Sequence, residues 1–277
     1  MRLIRSHGIG NDYLVLASRH TLTPEIVRAL CDRHTGVGGD GVLEPVVSEA
    51  AAHGLRIWNP DGSLAEKSGN GLRIFARYLV DRCHADLEHT IEVGGAIVRC
   101  RVHPEGPHVT VDMGTATLAA PEIPTAERVW DRPELIDDTI LHLHAVGMGN
   151  PHCVVFVDDQ LTEAVTLDHL PWRAWGAVLE VHALFPNRTN VQFVQVTGPH
   201  TLALRVFERG AGPTQASGSS ACAAAVAAVK SGRVQSPVRV EMEGGALDIR
   251  VDGALFVVMT GPVEEIAVVE TTRPFAP

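Results

Sequence analysis

The sequence feature that most constrains the fold is an internal repeat. Residues 8–15 (GIGNDYLV) recur in pattern as residues 147–154 (GMGNPHCV), and both segments lead into a predicted strand. An echo of this kind indicates that one structural unit occurs twice in the chain.

A second echo keeps the same order. Arg56 precedes Ser68 by twelve residues, and Arg205 precedes Ser217 by the same twelve. In each half a predicted strand, a glycine-rich loop and a predicted buried helix follow one another, with the serine just before the helix. We therefore predict two related domains, which 277 residues can accommodate at roughly 140 residues each.

Local patterns predict a mixed α and β fold. β-branched runs bounded by Gly, Pro or Asp predict strands at 13–17, 91–102, 108–113, 153–157, 191–196, 201–207, 238–242 and 246–259. Helical spacing of apolar residues predicts helices at 23–33, 70–81 and 219–231, the last one rich in Ala and Val and therefore buried.

Composition excludes several classes of protein. With 45% hydrophobic and 20% charged residues, the chain is typical of an ordinary globular protein. A net charge of −10 without basic runs argues against a nucleic-acid partner. No leader-like or membrane-spanning apolar segment is evident, so we expect a cytoplasmic protein without membrane association.

The five cysteines are odd in number and scattered, with no C-x-x-C pair. This pattern argues against a disulfide framework and against a zinc site, and it favours buried reduced thiols. We expect no metal.

Two loops stand at matched positions before predicted helices: Ser-Gly-Asn-Gly at 68–71 and Ser-Gly-Ser-Ser at 217–220. The first turn of a helix presents backbone N–H groups and a partial positive charge, which suit carboxylates. Each loop taken alone is also a good N-cap, since Ser, Asn and Gly favour that position. The matched pair favours a binding function.

Six motifs along the chain resemble those of diaminopimelate epimerases. They are HGIGNDY (7–13), DRHTGVG (32–38), RIWNPDGS (56–63), GMGNPHC (147–153), FPNRTNV (185–191) and ERGAG (208–212). The resemblance follows the family pattern in order over the whole chain.

That resemblance implies two pseudo-symmetric α/β domains, each a β-sheet wrapped around a central helix, with the active site in the cleft between them. It implies a first domain over residues 1–117 plus a C-terminal strand at 263–277, and a second domain over 118–262. We further expect a homodimer.

The resemblance also implies a chemistry and a set of site residues. In the family, one thiolate removes the proton of the substrate α-carbon and an opposed thiol returns one, without any cofactor. The positions that match substrate-contacting residues combine amide, guanidinium and backbone donors, which suit a ligand with carboxylate and ammonium groups at both ends. They are Asn11, Asn59, Gly69, Asn70, Asn150, Asn190, Arg209, Gly218 and Ser219. His152 and Glu208 match residues that pair with the two thiols.

The chain departs from the family at the acid/base positions themselves. Ser68 and Ser217 stand where the family carries its two cysteines. A thiol ionises near pKa 8.5, whereas an alcohol lies close to water at about 15.7, so an alkoxide base costs as much as ~10 kcal/mol more. Cys222 does not replace either thiol, because it lies about 140° around the helix from Ser217.

Four functions follow from these residues. The first is an isomerase that interconverts LL- and meso-diaminopimelate, a precursor in lysine biosynthesis, by two-base proton transfer. The second is a silent or binding relative that keeps the diamino-dicarboxylate site. A third is another isomerase or a lyase on the same scaffold, and a fourth is a hydrolase built from Ser217, His152 and Glu208, which the missing G-x-S-x-G elbow disfavours.

Overall fold

A computed structural model describes residues 1–125, 127–162, 165–272 and 275. The chain divides into two compact units, Met1–Asp112 with Thr260–Pro277, and Met113–Met259. The boundaries predicted from the resemblance stay predictions, and the end of the predicted strand at 263–277 lies outside the described residues. None of the helices within the described ranges is long and apolar enough to span a membrane.

The first unit is a sheet with two helices. Its strands form the order β18-β1-β2-β3-β4-β6-β7-β8, with β5 beside β4, and among these described pairs β2–β3 and β4–β6 are parallel. The elements are β1 Arg2–Gly8, β2 Asn11–Leu16, α1 Pro24–Cys31, β3 Val42–Val46, β4 His53–Trp58, β5 Leu64–Ala65, α2 Gly69–Cys83, β6 Glu88–Val93, β7 Ala96–Val102, β8 His108–Thr115 and β18 Glu264–Glu270.

The second unit has the same connectivity. Its strands form the order β9-β10-β11-β12-β13-β15-β16, with β14 beside β13, and here β11–β12 and β13–β15 are the parallel pairs. The elements are β9 Arg132–Ile136, β10 Thr139–Gly147, β11 Pro151–Phe156, α3 Trp172–Glu180, β12 Asn190–Gly198, β13 Thr201–Glu208, β14 Gly212–Thr214, α4 Gly218–Lys230, β15 Val238–Met242, β16 Gly245–Val251 and β17 Phe256–Pro262. Short 3₁₀ turns lie at Ala120–Glu122, Asp158–Gln160 and Leu167–His169.

The internal repeat is therefore a repeat of structure. The first echo forms the hairpins β1–β2 and β10–β11, whose loops contain the left-handed glycines Gly10 (φ 89°) and Gly149 (φ 88°). The second echo forms β4 with α2 and β13 with α4. The prediction of a mixed fold of two similar halves is confirmed.

Each unit has one central helix. α2 contacts β1, β2 and β7, and α4 contacts β10, β11, β12, β13 and β16, so each sheet curves around its helix. The Ala-rich α4 is buried on all sides, with every residue from Ser220 to Ala228 inaccessible to solvent. A helix that is apolar all round requires such an enclosed position.

Two of the predicted strands are wrong as single elements. The run at 91–102 is the β6–β7 hairpin, because Gly94 (φ 56°) and Gly95 (φ 79°) make a left-handed turn in its middle. The run at 246–259 contains β16 and β17, separated by a turn in which Leu255 has φ 62°. Alternating apolar residues continue across both turns, which conceals the breaks.

Helix α3 is absent from the sequence-based prediction. Its central Gly176 is a poor helix former, which weakens the helical pattern. In the fold this glycine is required, because a Cβ there would lie 2.6 Å from Cγ of the Phe207 ring on β13. Close packing against β13 therefore outweighs helix propensity.

Candidate active site

Ser68 begins the central helix of the first unit. It has extended backbone angles (φ −135°, ψ 118°), and its Oγ accepts a hydrogen bond from Gly71 N at 3.1 Å, as an N-cap residue does. The same Oγ accepts a second hydrogen bond from the Tyr13 hydroxyl at 3.2 Å. Ser68 is half-buried, so a donor from strand β2 and a donor from the helix hold its hydroxyl at the surface of the unit.

A chain of polar side chains lies beside Ser68. The fully buried Arg73 donates to Asn70 Oδ1 at 2.7 Å, and Asn70 Nδ2 donates to Asn11 Oδ1 at 3.1 Å. Asn11 Nδ2 in turn donates to Asp40 Oδ2 at 2.8 Å. The chain runs from a cation to a carboxylate, which fixes which end of each amide donates.

Charged groups anchor the far end of this chain. Asp12 is buried, and burial by itself would raise its pKa, but hydrogen bonds and charge from Arg33 and Arg5 hold that pKa below its usual value. Arg33 also bonds to Asp40 at 2.7 Å. The start of β2 therefore stands in a network of ion pairs.

Asn59 lies in the turn after β4, where its Nδ2 donates to Ser63 Oγ at 3.0 Å. No hydrogen bond joins it to Asn11 or Asn70 in the described residues. Its placement beside the other predicted ligands stays a prediction.

Ser217 begins the central helix of the second unit in a different way. Its backbone is again extended (φ −146°, ψ 122°), but its side chain makes no capping hydrogen bond, and the residue is 8% exposed. The first-turn residues are Gly218, Ser219 and Ser220, and Ser220 is fully buried. The first-turn N–H groups of α4 thus receive no cap from Ser217.

His152 lies at the centre of a buried polar network. Its Nδ1 lies 3.0 Å from Gln192 Nε2 and its Nε2 lies 2.8 Å from Asn150 Oδ1. Because an amide nitrogen can only donate, Nδ1 accepts and the imidazole carries its hydrogen on Nε2. Gln192 Nε2 also donates to Ser220 Oγ at 3.0 Å.

The imidazole of His152 is neutral. Complete burial, with the positive charge of Arg209 added, lowers the pKa of His152 to about 3. A group with that pKa is a weak base near neutral pH, so the ring acts here through its hydrogen bonds.

Asn190 and Arg209 are joined through the backbone. Asn190 Nδ2 donates to Pro151 O at 3.0 Å, and its Oδ1 accepts from Arg209 N at 3.0 Å. Buried Glu180 holds the next residue, since Gly210 N donates to Glu180 Oε1 at 2.6 Å. Arg209 is exposed and follows Glu208, the last residue of β13.

Comparison with known proteins decides the family. The profile of the family "Diaminopimelate epimerase" matches residues 3–119 and 144–266. This protein belongs to the diaminopimelate epimerase family.

Individual relatives agree with this assignment. The chain is 41% identical over 275 residues to "Diaminopimelate epimerase 2" of Nostoc sp., covering 96% of this chain and 94% of the relative. It is 45% identical over 271 residues to the diaminopimelate epimerase of Synechococcus sp. (strain JA-3-3Ab), covering 92% of each. The names of the family and its relatives indicate an isomerase.

Solved structures share the fold. A probable proline racemase from Agrobacterium radiobacter K84 superposes with a TM-score of 0.74 at 14% identity, covering all of this chain and 94% of the other. A predicted epimerase from Pseudomonas aeruginosa superposes with a TM-score of 0.71 at 17% identity, covering 99% of each chain. At these identities the likeness concerns the fold alone.

Within this family framework, each unit brings some of the predicted site residues together. Asn11 bonds to Asn70 in the first unit, and Asn150 bonds to His152 in the second. Three residues adjoining them were not predicted: Tyr13, Gln192 and Glu180. Tyr13 is part of a quoted motif, but no sequence signal marks Gln192 or Glu180, because their partners are distant in sequence.

The thiols of the chain are mostly enclosed in the cores of the units. All five cysteines are free, and four are buried, whereas Cys83 is exposed, which corrects the expectation of uniformly buried thiols. Burial raises the pKa of Cys31 and of Cys100 to about 12 and raises that of Cys153 as well. Cys222 is enclosed within α4. Among the residues that the structure describes, no group of His, Cys, Asp and Glu could hold a metal ion.

Proposed function

We propose that this protein is an amino-acid isomerase that binds diaminopimelate or a similar diamino-dicarboxylate and moves the proton of its α-carbon, with Ser68 and Ser217 at the acid/base positions. The observation that carries the proposal is the matched pair of serines, each at the first turn of a central helix. The proposal requires one substrate to meet both serines, as the resemblance implies for a cleft between the domains.

The helix starts supply the binding chemistry. Backbone N–H groups of Gly69 and Asn70 in one unit, and of Gly218 and Ser219 in the other, suit a substrate carboxylate or the negative charge that develops beside it. The Ser217 side chain occupies none of the first-turn N–H groups of α4, whereas the Ser68 side chain occupies Gly71 N in α2.

The asparagines are oriented for the same ligand. His152 donates to Asn150 Oδ1, which leaves the Asn150 amide nitrogen to donate outward. Asn70 and Asp40 hold Asn11 in a fixed orientation in the same way. We assign His152 the role of positioning Asn150, because a neutral imidazole with both nitrogens engaged cannot accept a proton from Ser217.

Arg209 suits the distal carboxylate of such a ligand. The residue is exposed, while its backbone is fixed by Asn190 and the adjoining Gly210 by Glu180. A guanidinium held in this way can bind a carboxylate through two parallel hydrogen bonds. Glu208 stays a proposed neighbour of the acid/base position in the second unit.

One observation favours a second candidate, a binding protein without turnover. Both ring nitrogens of His152 are taken by Asn150 and Gln192, so this imidazole cannot activate Ser217. A relative that has lost proton transfer would keep the same polar set.

Proton exchange at the α-carbon separates the two candidates. The protein is incubated with LL- and meso-diaminopimelate in D₂O, beside a Ser68→Cys, Ser217→Cys double variant, and binding is measured by calorimetry. We expect slow exchange by the natural protein and exchange at least about 100-fold faster by the variant, in line with typical acid/base contributions.

A matched control places two thiols elsewhere, one in each unit: Ser18→Cys with Ser231→Cys. This control should exchange at the rate of the natural protein. Binding with no exchange by the natural protein, and exchange restored by the double variant, would establish the binding relative instead. Absence of binding by all proteins would refute the substrate assignment.

A further inference from the structure

The hydroxyl of Ser68 has an unusual set of partners for a helix cap. Its oxygen accepts from Gly71 N at 3.1 Å and from the Tyr13 hydroxyl at 3.2 Å. A serine oxygen has two acceptor positions and one hydrogen of its own. With both acceptor positions occupied, the hydrogen of Ser68 is the part left to meet a ligand.

The fold holds the Tyr13 ring in place. Tyr13 lies on β2 opposite Ser6 of β1, and it is 6% exposed. A Cβ at Gly41 would lie 2.7 Å from ring carbon Cε1 of Tyr13, so the ring packs directly on this glycine backbone. The phenol therefore cannot move away from Ser68 without a change in the strands around it.

The internal repeat allows the contact between Tyr13 and Ser68 to be compared with the equivalent position in the second unit. Tyr13 and His152 occupy the same repeat position, two residues after Asn11 and Asn150. In the second unit that position faces Gln192 and Asn150. Only in the first unit does the described residue at this position bond to the loop serine.

The pKa of a phenol also suits proton transfer to and from a neighbouring serine hydroxyl. An alcohol is a poor acid and a poor base near neutral pH, with an ordinary pKa close to that of water, about 15.7. A phenol ionises near pKa 10, within about 2 units of a thiol. A proton that passes through Ser68 to or from a phenol thus avoids a free alkoxide.

We propose that Tyr13 and Ser68 form one proton-transfer pair, in which Tyr13 acts through Ser68 on the substrate α-carbon. As the acid, Ser68 forms a C–H bond by giving its hydrogen to the carbanion, while the Tyr13 hydrogen moves to Ser68 Oγ and a phenolate forms. In the opposite direction, Ser68 passes its hydrogen to the phenolate and takes the α-hydrogen. Charge balances in both directions, and no co-reactant is needed. This proposal rests on the proposed function, and it adds the Tyr13 phenol as the group that allows a serine hydroxyl to take part in proton transfer.

The test is a double-mutant cycle on α-proton exchange with Tyr13→Phe, Ser68→Cys and the combination. We expect Tyr13→Phe to lower kcat by about 100-fold with KM changed less than about twofold, as removal of an acid/base group does. In the Ser68→Cys background the same change should lower kcat less than about threefold, because a thiol ionises without the phenol. Tyr78→Phe removes the other tyrosine of the chain, in the same unit, and is the matched control.

The double-mutant cycle distinguishes proton transfer through the Tyr13–Ser68 pair, here called the relay, from a purely structural role of Tyr13. An equal loss in the natural and the Ser68→Cys backgrounds, or no loss in either, would overturn the relay. Activity of the combined variant shows that the chain still folds with the Tyr13→Phe change. Absence of exchange by the natural protein would also overturn the relay, whereas loss of diaminopimelate binding, measured separately, would overturn the proposed function itself.

Discussion

The two units build the same loop and helix but surround the loop serine differently. In the first unit, Ser68 caps α2 and accepts from Tyr13. In the second, Ser217 makes no capping hydrogen bond, and His152, at the repeat position of Tyr13, bonds to Gln192 and Asn150 instead.

Strand register shows where the difference arises. Leu14 pairs with Val42 and Cys153 pairs with Val191, so the residues that follow, Leu43 and Gln192, are equivalent. Leu43 lies against the Gly71 position, whereas Gln192 bonds to Ser220 at the matching helix position. The first unit therefore has an apolar contact where the second unit has a hydrogen bond. The same backbone arrangement can hold a network of charged side chains in one unit and a network of neutral side chains in the other.

We expect acid to destabilise the second unit through the network around His152. Because the folded pKa of His152 is about 3, below the ordinary value near 6.5, the unfolded state binds more protons between these values and stability falls as pH falls. We expect the free energy of unfolding to drop by about 3 kcal/mol more between pH 7 and pH 4 than in a His152→Gln variant. Urea unfolding at each pH measures this, with exposed His20→Gln as control. Equal pH dependence of all three proteins would show that His152 is not held neutral.

Single thiol substitutions should respond unequally in the two units. We expect Ser217→Cys to raise α-proton exchange by about 100-fold, since no capping hydrogen bond or phenol supports Ser217, and Ser68→Cys by only about 10-fold, since Tyr13 already assists Ser68. Exchange followed by NMR in D₂O measures both. Equal increases in exchange for the two variants would show that the two loop serines do not differ in function.

Replacement of Gln192 by leucine gives the second unit the residue of the first. We expect Gln192→Leu to lower the free energy of unfolding by about 2 kcal/mol, because His152 Nδ1 and Ser220 Oγ both lose a buried donor. The Gln192→Leu, Ser220→Gly pair reproduces both residues of the first unit and should recover part of the loss. A neutral Gln192→Leu would mean that the network does not stabilise the unit.

The cap itself gives the smallest effect. Ser68→Ala should cost about 1 kcal/mol of stability through loss of the bond to Gly71 N, whereas Ser217→Ala should cost less than about 0.3 kcal/mol because no cap is lost. Thermal unfolding of the two variants side by side measures the difference. Equal costs would contradict the assigned difference in capping.

Much of the fold could be predicted from local patterns. The helices at 23–33, 70–81 and 219–231 correspond to α1, α2 and α4, because apolar spacing and N-cap residues are local signals. The turns at Gly94 and Leu255 were missed because alternating apolar residues continue across them. The helix around Gly176 was missed because its packing against Phe207 overrides a low helix propensity.

The candidate site was predictable in part. The family motifs point to Asn11 and Asn150, the matched loop at 68–71 points to Asn70, and the structure joins each of them to a neighbour by a hydrogen bond. Their roles toward a substrate stay predictions. Glu180 and Gln192 carry no local signal, since a lone Glu or Gln in a strand or helix usually faces solvent.

By itself, the sequence determined that one unit occurs twice and which positions in the two copies are equivalent, and it predicts hydroxyls at the positions of the family's thiols. Only the tertiary structure decided that Tyr13 forms a hydrogen bond with Ser68, whereas His152 forms one with Gln192. The physical reason is that these hydrogen bonds join residues 55 and 40 positions apart, so strand register and the placement of the central helix select the partner.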